Sequence, residues 1–236
     1  MDEGVRLAKR VAEMLTCSRR EAEQVITGGW VQVDGLVVDE PAHRVANEKI
    51  EIHSAAQRGK VPLLSVLLHK NSDMSCNSNS RKSVWQALAP DNRSSHDRSG
   101  IRLTPRLQKL LQCAAGLEDA ASGLVVLSED PSVLRKLADQ RQPLEHEMLA
   151  EVSGAVSPDQ LHQLCPVGLR TSISSQNAQQ TGLRMAFKGY LPGYAVDVLR
   201  AANLSVLSLK RVRLGRVVLA PLQAGQWRAL MPYERF

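Results

Sequence analysis

The stretch Trp30-Val31-Gln32-Val33-Asp34-Gly35-Leu36-Val37-Val38 constrains this chain most tightly. Two short runs rich in β-branched residues flank an Asp-Gly pair. That pair readily takes the two consecutive positive-φ conformations a tight hairpin turn requires. Just before it, Gly28-Gly29 stops a helix whose start is equally plain. Ser18 and Glu21 have capping-box spacing, and Ala22, Val25 and Ile26 form an apolar stripe. Upstream, Leu7, Val11, Met14 and Leu15 fall on one face of another helix, which Thr16-Cys17 breaks. The N-terminal segment therefore reads as helix, helix, hairpin, a compact module of about 50 residues.

Charge is arranged in blocks. Residues 1–60 sum to −1, 61–110 to +5, 111–170 to −5 and 171–236 to +7, giving +6 overall. Two basic blocks flank an acidic one, a polarity that suits a phosphate-rich partner. Arg19 and Arg20 open the second helix, where the helix dipole disfavours cations unless an anion sits with them. With Arg6, Lys9 and Arg10 they make a candidate basic face. Aromatics are only 3% of the chain (two Phe, three Trp, three Tyr). The core must be aliphatic, and so few stacking platforms argue against binding single strands mainly by base stacking.

No apolar run of membrane-spanning length and no secretory leader is visible, so we expect no membrane association. Cys17, Cys76, Cys113 and Cys165 are scattered, and His162-x-x-Cys165 stands alone as a metal-like pair. We therefore expect reduced thiols in the cytoplasm, no metal and no cofactor. Ala55–Lys60 reads as a linker and Val61–Lys70 as a buried strand. Residues 71–83 and 91–100, rich in Ser, Asn, Asp and Arg, read as loops.

Arg6-Leu7-x-Lys9, Ser18-Arg19-Arg20-Glu21-Ala22-Glu23 and Ile26-x-x-Gly29-x-Val31-x-Val33-Asp34-Gly35 closely resemble the small RNA-binding domain named after ribosomal protein S4. That resemblance implies that both helices lay basic side chains against the backbone of structured RNA. Three later stretches resemble the ribosomal RNA pseudouridine synthases of the RsuA/RluB type. They are Ala114–Asp130, Glu145–Val152, and Val206–Gly215 continuing through Leu219, Leu222, Gly225, Trp227 and Arg228. The resemblance implies an α+β fold: the small module, then a mixed, mainly antiparallel sheet flanked by helices. The implied domains are 1–55, a 56–62 linker and 63–236. It further implies ribosomal RNA as the partner of a monomeric chain.

In the resembled family a Gly-Arg-Leu-Asp segment supplies the aspartate that attacks the target uridine. Counting back from Gly123 places Glu118 at that position and Gly116 at the arginine. Glutamate keeps the carboxylate but adds a methylene, and a displacement near 1 Å can lower the rate about a hundredfold. Met148 stands where the family has a base-facing tyrosine. Val196 and Asp197 stand where paired arginines belong, leaving Lys188 and Arg200 as the basic residues of 188–203. The expected substrate contacts are Met148, Lys70 and Arg200. Arg6, Lys9, Arg10, Arg19, Arg20, Lys210, Arg211 and Arg213 are the expected RNA contacts. The expected function is RNA binding with weak or lost isomerase activity in ribosome assembly; the alternative is an active synthase using Glu118.

Overall fold

The computed structural model describes residues 4–54, 56, 63–99, 101–166, 168–189 and 192–236. The chain divides into two compact units, Met1–Leu64 with Asp97–Leu111, and Ser65–His96 with Gln112–Phe236. Apart from Ala56, the expected 56–62 linker lies outside the described residues.

In the first unit, β1 (Val5–Arg6) leads into α1 (Leu7–Leu15) and pairs with β4 (Arg44–Val45). Thr16 ends α1 in the left-handed region at φ 50°, and its N–H reaches the carbonyls of Ala12 and Glu13. Next comes α2 (Arg19–Thr27), closed by the full capping box. The Glu21 N–H donates to Ser18 Oγ at 3.3 Å, and the Ser18 N–H donates to Glu21 Oε2 at 2.9 Å. Such a cap contributes about 1 kcal/mol. Strands β2 (Val31–Val33) and β3 (Leu36–Val37) form the expected hairpin, and β5 (Ile50–Ile52) pairs on the other edge of β2. Asp34 at φ 49° and Gly35 at φ 80° both occupy positive-φ space, as the tight turn demands. Helix α3 (Pro105–Leu110), capped by Thr104, belongs to this unit. Leu7, Val11, Ala22, Val25, Ile26 and Val31 make its core. Met14 departs from expectation: it lies at the edge of the apolar stripe and is 49% exposed.

The second unit is built on one sheet. Its strands in chain order are β6 (Ser65–Lys70), β7 (Gln112–Cys113), β8 (Ser122–Ser128), β9 (Glu145–Ser153), β10 (Leu169–Gln176), β11 (Gln180–Lys188), β12 (Val206–Leu214), β13 (Val217–Val218) and β14 (Trp227–Ala229). The main path runs β10-β11-β9-β12-β8-β6-β14, with β7 on β8 and β13 on β12. Among these pairings only β12–β8 is parallel. Helices α4 (Pro131–Ala138), α5 (Pro158–Gln163) and α6 (Tyr194–Ala201) complete the α+β architecture.

Every residue of β6 is buried, as a strand covered on both faces should be. The strand begins at Ser65, with Leu63 and Leu64 of the expected run preceding it; Val61 and Pro62 lie outside the described residues. One core gathers Leu67, Leu124, Val126, Leu214, Leu219 and Leu222. Gly215 and Gly225 sit at positive φ, Trp227 is buried, and Arg228 forms a forked ion pair with Glu234 at 2.7 Å from each nitrogen. Val206, at the start of β12, is half-buried, beside a register slip between Val206 and Ser208.

Candidate nucleic-acid interface and carboxylate loop

Three of the five basic residues expected on the first unit meet in one place. Arg6, Lys9 and Arg19 line a groove of about 730 Å³ together with Glu13, Thr16 and Cys17. Helix α1 supplies Lys9 from its first turn, and the capping box at the start of α2 leaves Arg19 at its first position. Arg10 and Arg20 are exposed outside that groove. Arg10 lies 3.8 Å from Glu13, and Arg19 donates to Glu23 at 3.0 Å. Exposed pairs of this kind are worth well under about 1 kcal/mol, so a phosphate can displace them.

The basic C-terminal block behaves differently. Lys210 is half-buried, and Arg211 is fully enclosed. The expectation that Arg211 faces RNA is therefore corrected. Its Nε donates to the Leu124 carbonyl at 2.7 Å, and its Nη groups donate to the carbonyls of Gly116 and Ala115. Burial lowers its pKa to about 10 although Cys113, Cys76 and Glu118 favour the cation. Arg213 is held by acidic residues of β9, donating to Glu147 Oε2 at 2.7 Å and to Glu145 Oε1 at 2.6 Å. Arg184 joins it at Glu147 and Arg170 at Glu145. Hydrogen bonding from Arg213 holds Glu145 below the usual carboxylate range. Burial pushes Glu147 up, but hydrogen bonds from Arg213 and Arg184 prevail and lower it. A second basic cavity of about 450 Å³ is lined by Lys136, Arg141, Lys188 and Arg216 among others, and the sequence does not announce it. Its four cations come from three separate stretches, 136–141, Lys188 and Arg216, with no common periodicity.

Glu118 lies in the loop between β7 and β8. Both of its carboxylate oxygens are buried, and neither has a hydrogen-bond partner among the described residues. Two buried cations grip this loop. Lys70, fully buried on β6, donates from Nζ to the carbonyls of Ala121 at 2.6 Å, Asp119 at 2.9 Å and Asn71 at 3.1 Å. Burial lowers the Lys70 pKa, against the attraction of Cys76, Asp119 and Glu118. Arg211 holds the other end at Ala115 and Gly116. Glu118 thus feels both charges, while the donors of Lys70 and Arg211 are turned to backbone carbonyls.

The remaining expected contacts are not gathered there. Met148 is fully buried within β9, with no surface to offer a base. Arg200 lies exposed on α6, its guanidinium 3.9 Å from Asp197. His146, beside Arg211 at 3.5 Å and stacked on Phe187, carries no signal in the sequence that marks it out. Burial, then the charge of Arg211, lowers its pKa to about 3. Among the described residues there is no cluster of three or more His, Cys, Asp or Glu suited to a metal ion, and no helix long and apolar enough to cross a membrane.

Residues 5–48 match the S4 domain family. An uncharacterised RNA pseudouridine synthase of Aquifex aeolicus is 23% identical over 236 residues, covering 98% of this chain and 94% of its own. A chloroplast protein of Arabidopsis thaliana, named as a candidate ribosomal large-subunit pseudouridine synthase, is 25% identical over 226 residues. That match covers 89% of this chain and 54% of the Arabidopsis protein. A crystal structure of a pseudouridylate synthase superposes with a TM-score of 0.58 at 18% identity, covering 97% of this chain and 96% of that one. The chain therefore carries an S4-type RNA-binding module followed by the pseudouridine-synthase fold. Its resemblance is to the RsuA type of RNA pseudouridine synthase.

Proposed function

We propose that this protein binds structured ribosomal RNA and has weak or no uridine isomerase activity, serving ribosome assembly as a cytoplasmic monomer. The observation that carries the reading is the complete burial of Met148 where the resembled enzymes place a base-facing tyrosine. A residue with no accessible surface cannot pack on an incoming base, and a thioether cannot move a proton. The glutamate in place of aspartate and the exposed, acidic Asp197 in place of an arginine point the same way. The groove of Arg6, Lys9 and Arg19 supports phosphate-directed binding through the S4 module.

One observation favours the alternative of an active synthase. Glu118 holds two buried carboxylate oxygens with no hydrogen-bond partner among the described residues, near two cations, and a buried polar group of that kind calls for a functional explanation. Pseudouridine mapping of ribosomal RNA from cells with and without the protein decides between them. An unchanged map with altered ribosomal-subunit profiles supports the binding reading, and one missing pseudouridine supports the enzyme.

A further inference from the structure

Beside the Glu118 loop, two cysteines far apart in sequence meet. The Cys113 thiol favours the thiolate form of Cys76. The Leu117 N–H donates to the same sulfur at 3.3 Å. A Cβ placed on Gly116 would lie 3.4 Å from Cys76 Sγ and 3.6 Å from Cys113 Sγ, so the bare glycine leaves room for both sulfurs. Both side chains are half-buried, which leaves a small oxidant a route to them.

We propose that Cys76 and Cys113 form a reversible dithiol–disulfide site, in which Cys76 attacks a low-molecular-weight disulfide of the glutathione class and Cys113 closes the intramolecular bond. This goes beyond RNA binding and does not depend on the isomerase reading. Both sulfurs crowd the same point above Gly116, and a disulfide would close them to about 2.05 Å. Cys76 is the attacking group because its sulfur, and not that of Cys113, receives the Leu117 N–H at 3.3 Å, which favours a thiolate there. The Cys113 hydrogen bond, opposed by burial and aided by the Leu117 N–H, Lys70 and Arg211, lowers its pKa to about 6. Cys113 is driven the other way, first by its hydrogen bond to Cys76 and then by burial, and stays protonated.

The chemistry balances. The Cys76 thiolate attacks one sulfur of oxidised glutathione, that S–S bond breaks, and one glutathione leaves as thiolate. Cys113 no longer faces a negative sulfur, so it releases its proton to solvent. Its sulfur then attacks Cys76 Sγ and expels the second glutathione. Two protein thiols are oxidised, and one glutathione disulfide is reduced to two glutathione thiols. The product ties the 71–83 loop to β7 and removes a negative charge from beside Lys70 and Arg211, leaving Glu118 as a nearby counter-charge.

The test uses the full-length, fully reduced protein, exposed to oxidised glutathione at neutral pH, quenched with N-ethylmaleimide and mapped by peptide mass spectrometry. The expected result is a peptide cross-linked between Cys76 and Cys113, with Cys17 and Cys165 recovered as maleimide adducts. Cys113→Ser should instead leave glutathione on Cys76, and Cys76→Ser should leave Cys113 alkylated. Recovery of wild-type Cys76 and Cys113 as maleimide adducts, or as separate glutathione adducts, would overturn the proposal. The wild-type measurement stands whether or not either variant folds.

Discussion

The Gly123 backbone lies so close to that of Arg211 that a Cβ on the glycine would sit 2.2 Å from the Arg211 carbonyl oxygen. Here β8 and β12 form their parallel pair, with Arg211 opposite Gly123. The pairing sets the start of β8 against the strand that grips the Glu118 loop. Gly123 also sits at φ 107°, where any side chain is strained. Gly123→Ala should therefore destabilise the protein by about 3 kcal/mol or more. Chemical denaturation would show this as a lowered midpoint, and an unchanged midpoint would mean that the strands are not so closely apposed.

Lys70 tests the loop separately from the sheet. Lys70→Met keeps an apolar stem but leaves the carbonyls of Asn71, Asp119 and Ala121 without their Nζ donor. Unpaired buried acceptors cost about 1–3 kcal/mol each. Hydrogen exchange should rise first at residues 116–121, while β8 stays protected. Uniform protection across that loop in the variant would show that Lys70 does not organise it.

His146 predicts a pH dependence. Its folded pKa of about 3 lies below the ordinary 6.5, so between these values the unfolded chain binds more protons. Its contribution is complete above the unfolded value and is lost progressively as pH falls toward the folded one. The loss is on the order of a few kcal/mol across that window. His146→Leu should flatten the stability profile between about pH 7 and pH 5, where the carboxylates still remain ionised. Parallel profiles for the two proteins would show that His146 is not buried as a neutral ring.

Arg19 and Arg20 test the RNA face. Arg19→Ala combined with Arg20→Ala should weaken binding to structured RNA. It should also make the dependence of log affinity on log salt shallower, by about 0.7–0.9 for each phosphate that is no longer neutralised. Arg19 lines the groove and Arg20 does not, so Arg19→Ala alone should account for most of the change. Filter binding over a salt series would measure both. An unaltered slope would place the RNA elsewhere.

Legibility from sequence follows the range of the interactions. The capping box at Ser18 and Glu21 and the turn at Asp34-Gly35 are local and readable, because residues three apart or adjacent determine them. The C-terminal strand and its glycines are readable from pattern. The division of labour among Lys210, Arg211 and Arg213 is not. Register slips between Val206 and Ser208 and between Arg211 and Arg213 defeat simple alternation along β12. The partners of Arg211 are carbonyls of the loop before β8 and of Leu124 on β8, and those of Arg213 include carboxylates on β9, so nothing beside them in sequence foretells either fate. The meeting of Cys76 with Cys113 likewise depends on β7 returning to the sheet next to the 71–83 loop. Met148 reads in the sequence as a missing tyrosine, but only the packed sheet shows that its side chain has no access to a base.

The most direct test of the central claim compares wild type with Glu118→Ala on one structured ribosomal RNA, measuring affinity and pseudouridine formation in the same reactions. The account predicts equal affinity and little or no pseudouridine from either protein. Robust turnover by wild type that Glu118→Ala abolishes, with RNA still bound, would contradict it and establish Glu118 as a working nucleophile.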